Sequence, residues 1–251
     1  MKPYRGYWKL VPVMLLATML GGTAIIFPLF SAAAAYKGMP VKNGGTITGV
    51  VTFKGTPPAP HTIKVDKDKK VCGKTPMISK DLLVGKKKGI QNAVVRLTDI
   101  TKGKPLGTAT ILLDQKGCRF HPHVLMVTAG GSVEVVNDDP LTHNIHTFSF
   151  ENAQLNQAQP KGSPKLTITP TIPETIKVQC DIHKWMEGWM IVAEHPYYAL
   201  TDTNGKFTLT NVPPGTYTLE IWHETLGLVN QTVTVKAQKS VNVSVTLPKK
   251  G

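Results

Sequence analysis

Residues of types that bind soft metal ions lie in two short segments of the sequence. Cys180, His183 and Met186 occur with Cys-x-x-His-x-x-Met spacing, and His143 ends a turn-forming segment upstream. A thiolate, two imidazoles and a weak axial thioether make up the ligand set of a blue-copper electron-transfer site. The two segments therefore predict a copper site. The alternative is that Cys180 is a small buried apolar residue and Met186 fills the core.

Short β-strands have to position these residues. After residue 35 the apolar residues alternate in thirteen short runs bounded by Gly, Pro, Asn or Asp, and the chain holds 22 Gly and 19 Pro. That pattern favours an all-β fold of sandwiches or barrels. One predicted strand leads into the turn before His143, and two others flank the Cys180 loop. The stretch Leu141–Gln159 is the least regular, and we expect a helical turn within it.

Residues 107–195 resemble the cupredoxins of the amicyanin and plastocyanin type. The resemblance is carried by Phe120-x-Pro122, Gly130-Gly-Ser-Val133, His143-Asn144 and the Cys180 loop, which stand in family order. It implies a Greek-key sandwich that holds one copper ion of the blue-copper type. It also implies that His143, Cys180 and His183 are equatorial ligands, that Met186 is the axial ligand, and that Asn144 fixes the ligand loop by hydrogen bonding.

Two further pieces resemble the carboxypeptidase regulatory-like family, a small β-sandwich. They are the segments 45–55 with 92–97, and 201–209 with 212–219. In that family the two pieces are neighbours, but here about a hundred residues separate them. We therefore predict one discontinuous sandwich from residues 44–106 and 196–248, with the cupredoxin domain 107–195 inserted between them. The alternative is three consecutive small domains, although a C-terminal piece alone would bury a poor core.

The N-terminus has the pattern of a secretory signal. Lys2, Arg5 and Lys9 precede an apolar stretch, and the small residues Ser31–Ala35 follow it. We expect residues 1–35 to be a signal peptide, with an uncleaved membrane anchor as the alternative. Either predicts a periplasmic, secreted or cell-envelope protein, so the net charge of +13 does not indicate nucleic-acid binding.

Two cysteines and several histidines remain outside the copper motif. Cys72 and Cys118 are an even pair in an oxidising compartment and could form a disulfide, or Cys118 could stay reduced near the copper. His121, His123 and His146 could form a second metal site, or each could be a histidine satisfied by its own partner.

The function predicted from these features is one-electron transfer by an exported copper protein, not an enzyme. It implies a redox partner protein, no nucleic acid, and membrane association if the N-terminal segment is retained. The alternative is a copper-handling or structural envelope module that binds copper without redox turnover. A catalytic oxidase would need copper ligands with open positions, and the sequence shows no convincing set.

Overall fold

The computed structural model describes residues 35–249, so the predicted signal segment lies outside the described residues except for Ala35. The described chain is almost entirely β-structure, with one short helix, α1 (Lys69–Cys72). No helix within residues 35–249 is long and apolar enough to cross a membrane. The all-β prediction is confirmed.

The strands in chain order are β1 (Lys37–Gly38), β2 (Gly45–Phe53), β3 (Thr62–Ile63), β4 (Met77–Ile78), β5 (Val94–Leu97), β6 (Lys102–Gly103), β7 (Thr110–Gln115), β8 (Phe120–His121), β9 (Val124–Thr128), β10 (Ser132–Asn137), β11 (His143–Phe148), β12 (Asn156–Gln159), β13 (Leu166–Ile168), β14 (Glu174–Gln179), β15 (Glu187–Ala193), β16 (Tyr198–Leu200), β17 (Lys206–Val212), β18 (Gly215–His223), β19 (Gly227–Val235) and β20 (Ser240–Leu247). Each of the thirteen predicted strands overlaps an observed one. The helical turn expected in Leu141–Gln159 is wrong, because β11 and β12 occupy that stretch and pair with each other.

The first sandwich is built from both ends of the described chain. One sheet has the order β17-β2-β20 and the other β16-β5-β18-β19. Alternate residues of β2 are buried, which is the period of two that a strand with one face on a core must show. Residues from both sheets, including Ile47, Val95 and Leu219, form one buried cluster. Strands that are far apart in sequence therefore share a single core.

The second sandwich comes from the middle of the chain. Its sheets have the orders β13-β10-β7-β8 and β12-β11-β14-β15-β9. They enclose a separate cluster that contains Val133, Val178 and Met190. The chain thus leaves the first sandwich after β5, builds the second, and returns at β16. A small third cluster, centred on Val94 and Ile191, joins the two sandwiches.

Candidate metal centre

Strand pairing brings the two predicted metal-binding segments together. β11 and β14 are antiparallel neighbours, with His146 opposite Gln179. In such a pair the start of one strand lies beside the end of the other. His143 is the first residue of β11, and Cys180 follows directly after β14. The loop between β14 and β15 then carries His183 and Met186 to the same end of the sandwich.

The three strongest donors converge in a fully buried pocket. His143 Nδ1 lies 3.0 Å from His183 Nδ1. Cys180 Sγ lies 3.8 Å from His183 Nδ1, and donor atoms of the three residues are all within 4.8 Å of one another. None of the three residues is exposed. Water is therefore largely kept from the donors by protein atoms.

Carboxylates bind the outer nitrogens of both imidazoles. His143 Nε2 is 2.8 Å from an oxygen of Asp139, and His183 Nε2 is 2.8 Å from an oxygen of Asp68. Since a carboxylate accepts hydrogen bonds, each Nε2 carries the proton and each Nδ1 turns its lone pair into the pocket. Sequence analysis missed both acids.

Burial and hydrogen bonds together shift the pKa values of His143 and Asp139. Burial lowers the pKa of His143, although the hydrogen bond with Asp139 opposes the shift. Burial alone would raise the pKa of Asp139. Hydrogen bonds from the Cys118 backbone N–H and from His143 outweigh that effect and hold the pKa of Asp139 below its ordinary value. The result is an ionised carboxylate beside a neutral imidazole, which is the form that binds a metal.

Hydrogen-bonding groups of Asn144 and His183 surround the Cys180 sulfur. The backbone N–H of Asn144 and that of His183 donate to Sγ over 3.5 Å and 3.4 Å. The side-chain oxygen of Asn144 lies 3.3 Å from Sγ and accepts a bond from the backbone N–H of Asp181 over 2.7 Å. Asn144 also holds the ligand loop against β11, as the resemblance implied.

The loop that carries the donors is closed by its own backbone. Cys180 N–H donates to the Met186 carbonyl over 3.0 Å, and Met186 N–H donates to the His183 carbonyl over 2.8 Å. Met186 is 1% exposed and belongs to the same buried cluster as Cys180. The predicted axial residue therefore lies in the same buried core as Cys180, and its backbone is bonded to that of Cys180.

This donor set fits a copper ion. The two Nδ1 atoms lie 3.0 Å apart in the pocket, close enough for one cation to contact both. Imidazole nitrogens about 2.0 Å from one ion are about 3 Å apart when they subtend about 100°. A thiolate beside two imidazoles, with a thioether in the same core, is the set that copper electron-transfer sites use.

The remaining cysteines form a disulfide beside the pocket. Cys72 and Cys118 are bonded, with their Cα atoms 5.4 Å apart. The predicted disulfide is confirmed, and the alternative of a reduced Cys118 near copper is wrong. Cys180 is the free cysteine.

The other histidines have partners of their own. His121 contacts the Lys116 carbonyl, His123 contacts Glu224, and His146 contacts Asp181. Within residues 35–249 these three are not grouped as a metal cluster. The second metal site considered from the sequence is therefore not assembled.

One protein-family model matches part of the chain. Residues 186–248 match the family model of the carboxypeptidase regulatory-like domain. That range begins in the ligand loop and covers β15 to β20. It leaves out β2, which pairs with β17 and β20, and β5, which pairs with β16 and β18. No curated protein matches the chain.

Similar solved structures include several copper proteins. A Cu-containing nitrite reductase from Thermus scotoductus is 25% identical over 36% of this chain, with a TM-score of 0.32, and only 23% of the reductase is covered. A variant of amicyanin with Cu(I) is 23% identical over 33% of this chain and 81% of its own, with a TM-score of 0.31. A purple cupredoxin from Nitrosopumilus maritimus is 19% identical over 33% of this chain and 99% of its own, with a TM-score of 0.29.

Proposed function

We propose that the protein is an exported copper-binding protein that transfers single electrons through a mononuclear blue-copper site. His143, Cys180, His183 and Met186 are the residues that would hold the copper ion. The observation that carries the proposal is the convergence of two imidazole Nδ1 atoms 3.0 Å apart with a buried thiol 3.8 Å from one of them.

The chain's own residues fix the positions of the donors. Asp139 fixes the ring of His143, and Asn144 fixes the loop that carries Cys180. When bound, copper would supply a one-electron Cu(II)/Cu(I) couple. Because the protein positions the donors, few of them have to move when the charge at the centre changes, which is what fast electron exchange requires.

Burial of the donors supports a carrier role over catalysis on a substrate. His143, Cys180 and His183 are each 0% exposed, and Met186 is 1% exposed. A catalytic metal site keeps a coordination position open for substrate or water. We therefore propose no enzymatic turnover.

The proposed surroundings of the protein follow from its segments. The signal pattern of residues 1–35 and the Cys72–Cys118 disulfide both support an oxidising compartment, the periplasm or the cell envelope. The partner proposed there is a redox protein, with no nucleic acid. The protein would stay at the membrane if the N-terminal segment is retained.

One observation favours the second candidate, a copper-handling envelope module without redox turnover. The ring of His183 is fully buried, and its outer nitrogen is bonded to Asp68. A redox partner could not touch that ring directly. Reversible voltammetry of the copper-loaded protein supports electron transfer, whereas binding of Cu(I) alone without a reversible couple supports handling.

The absorption spectrum of the protein loaded with one equivalent of Cu(II) tests the proposal. We expect an intense visible thiolate-to-copper band, which Cys180→Ser abolishes while the fold is kept. His143→Gln should remove the band as well, and His61→Gln, which changes an exposed histidine of a loop, should leave it unchanged. A wild-type protein that binds one copper and shows no such band would prove the assignment wrong.

A further inference from the structure

A segment of the first sandwich's sequence packs on the second sandwich's core. Residues 61–81, here called the strap, lie between β2 and β5 in sequence and contain β3, α1 and β4. Cys72 and Met77 of the strap are buried in the same cluster as Cys180 and Met186. The half-buried strap residues packed against that cluster are Ile63, Val65 and Val71. The strap thus belongs by its contacts to the candidate metal site.

Three contacts fix the strap to the strand and turn that precede the site. Cys72 forms the disulfide with Cys118. The Arg119 guanidinium donates to the Ile78 carbonyl, and Lys80 Nζ lies 3.5 Å from His121 Nδ1. The Cys118 backbone N–H also donates to Asp139, which binds His143. The anchor of the strap is therefore connected to the site's other imidazole.

Asp68 is the strap residue that reaches the donors. Its carboxylate lies 2.8 Å from His183 Nε2, across 115 residues of sequence. Its side chain is 43% exposed while that of His183 is 0% exposed, so Asp68 lies between the ring edge and solvent. The Asp68 carbonyl accepts a bond from the Cys72 backbone N–H over 2.9 Å. The disulfide and the position of Asp68 are thus coupled through one turn of backbone.

We propose that Asp68 is a positioning residue of the candidate copper site, held against His183 by the disulfide-anchored strap. This role rests on the proposed function and has two parts. The carboxylate accepts a hydrogen bond from Nε2–H, which keeps Nδ1 directed at Cys180 and His143. The strap covers the ring edge through which solvent would reach the pocket. Carboxylates that orient a ligating imidazole in this way commonly raise metal affinity about tenfold or more.

The test uses variants matched to the backbone. Asp68 has a φ of +47°, a conformation that Gly adopts freely and Asn adopts more readily than most residues. Asp68→Gly removes the side chain without backbone strain, and Asp68→Asn keeps an acceptor oxygen while it removes the charge. Asp66→Ala and Asp66→Asn are the controls, because Asp66 lies on the same strap and its side chain has no hydrogen bond or ion pair within residues 35–249.

The first readout needs no metal. The sequence has three cysteines, two of them in the disulfide, so Cys180 is the one thiol that a maleimide can alkylate in the metal-free protein. We expect Asp68→Gly to speed alkylation about three- to tenfold, since the ring that covers the thiol loses its anchor. Asp68→Asn and the Asp66 variants should stay within about twofold of wild type. Cys72→Ser/Cys118→Ser, which frees the strap, should match or exceed Asp68→Gly.

The second readout uses the copper-loaded protein. Asp68→Gly should shift the visible thiolate band and speed copper loss to a chelator, while Asp68→Asn keeps the band and raises the reduction potential. The potential rises because removal of a nearby negative charge destabilises Cu(II) more than Cu(I). Asp66→Asn should raise it less.

Each outcome bears on one of the two proposals. Alkylation of Asp68→Gly at the wild-type rate, with an unchanged copper spectrum, overturns the role of Asp68 and leaves the copper site standing. Faster alkylation of Asp68→Gly in a protein that binds no copper supports the positioning of His183 and refutes the proposed function. If Asp68→Gly fails to fold, equal potentials for Asp68→Asn and Asp66→Asn overturn the role.

Discussion

Asn144 connects the two segments that form the candidate copper site. Its side-chain oxygen accepts the Asp181 backbone N–H over 2.7 Å and lies 3.3 Å from the Cys180 sulfur. Its side-chain nitrogen donates to Asn156 over 2.7 Å. The residue is 5% exposed. Replacement by Ala therefore removes one strong bond to the ligand loop and one to β12.

The expected loss follows from these bonds. A buried donor that loses its acceptor costs about 1–3 kcal/mol. Asp181 is near the surface and its N–H can be hydrated, so the cost of losing this hydrogen bond lies at the low end of that range. The bond to Asn156 adds about 1 kcal/mol. We expect Asn144→Ala to lower the free energy of unfolding of the metal-free protein by about 2–3 kcal/mol.

Urea denaturation of the metal-free protein measures this loss. Asn242→Ala is the matched control, because Asn242 is exposed in the first sandwich and donates only to Thr48 among the described residues, over 3.3 Å. The control should change stability by less than about 0.5 kcal/mol. Copper should also leave Asn144→Ala faster than wild type. An Asn144→Ala protein as stable as the control would show that Asn144 does not hold the loop.

Two carboxylates outside the candidate copper site give further predictions. Glu174 accepts bonds from Ser149 and neighbouring backbone N–H groups, which outweigh the effect of burial and lower the pKa of Glu174 to about 2. The contribution of the Glu174 carboxylate to stability is full above its ordinary pKa near 4.5 and is lost as the pH falls towards 2. Glu174→Gln should therefore remove about 1–2 kcal/mol of stability at neutral pH, after allowance for solvent screening, and almost none at pH 2. Unfolding curves with the same pH dependence as wild type would contradict this. Glu224 binds His123 through one oxygen and Trp189 through the other. Gln offers one acceptor in place of two, so Glu224→Gln should lower the urea midpoint by the equivalent of about 1–3 kcal/mol, and an unchanged midpoint would exclude a stabilising contact there.

The strands could be predicted because their signal is local. Residues of β2 alternate between the core and the outer face, and this period of two is visible in Ile47, Val51 and Phe53. The strands that were missed have two to four residues, such as β3 and β12. A segment so short shows no period. The expected helical turn failed for a related reason, since the irregular segment after β11 showed no period that would reveal the four-residue β12.

The candidate ligands could be predicted, whereas their supports could not. Cys180, His183 and Met186 lie within one loop, so their spacing is readable. Asp139 lies four residues before His143 and could have been noticed as an acid in the same turn. Asp68 is 115 residues from His183, and no local pattern connects them. The assignment of His143, Cys180, His183 and Met186 as metal ligands stays a prediction.

The strap shows why sequence neighbours are a poor guide to the surroundings of this site. Its sequence lies between β2 and β5, which belong to the first sandwich, yet Cys72 and Met77 are buried in the core of the second. A disulfide across 46 residues stabilises by about 4 kcal/mol in the chain-entropy estimate, enough to hold a segment with little regular structure in a chosen place. The bond therefore contributes to holding the strap on the second core, where the carboxylate of Asp68 contacts His183. The candidate ligands come from the first residue of β11 and from one loop, but their burial depends on strands, disulfide and strap together.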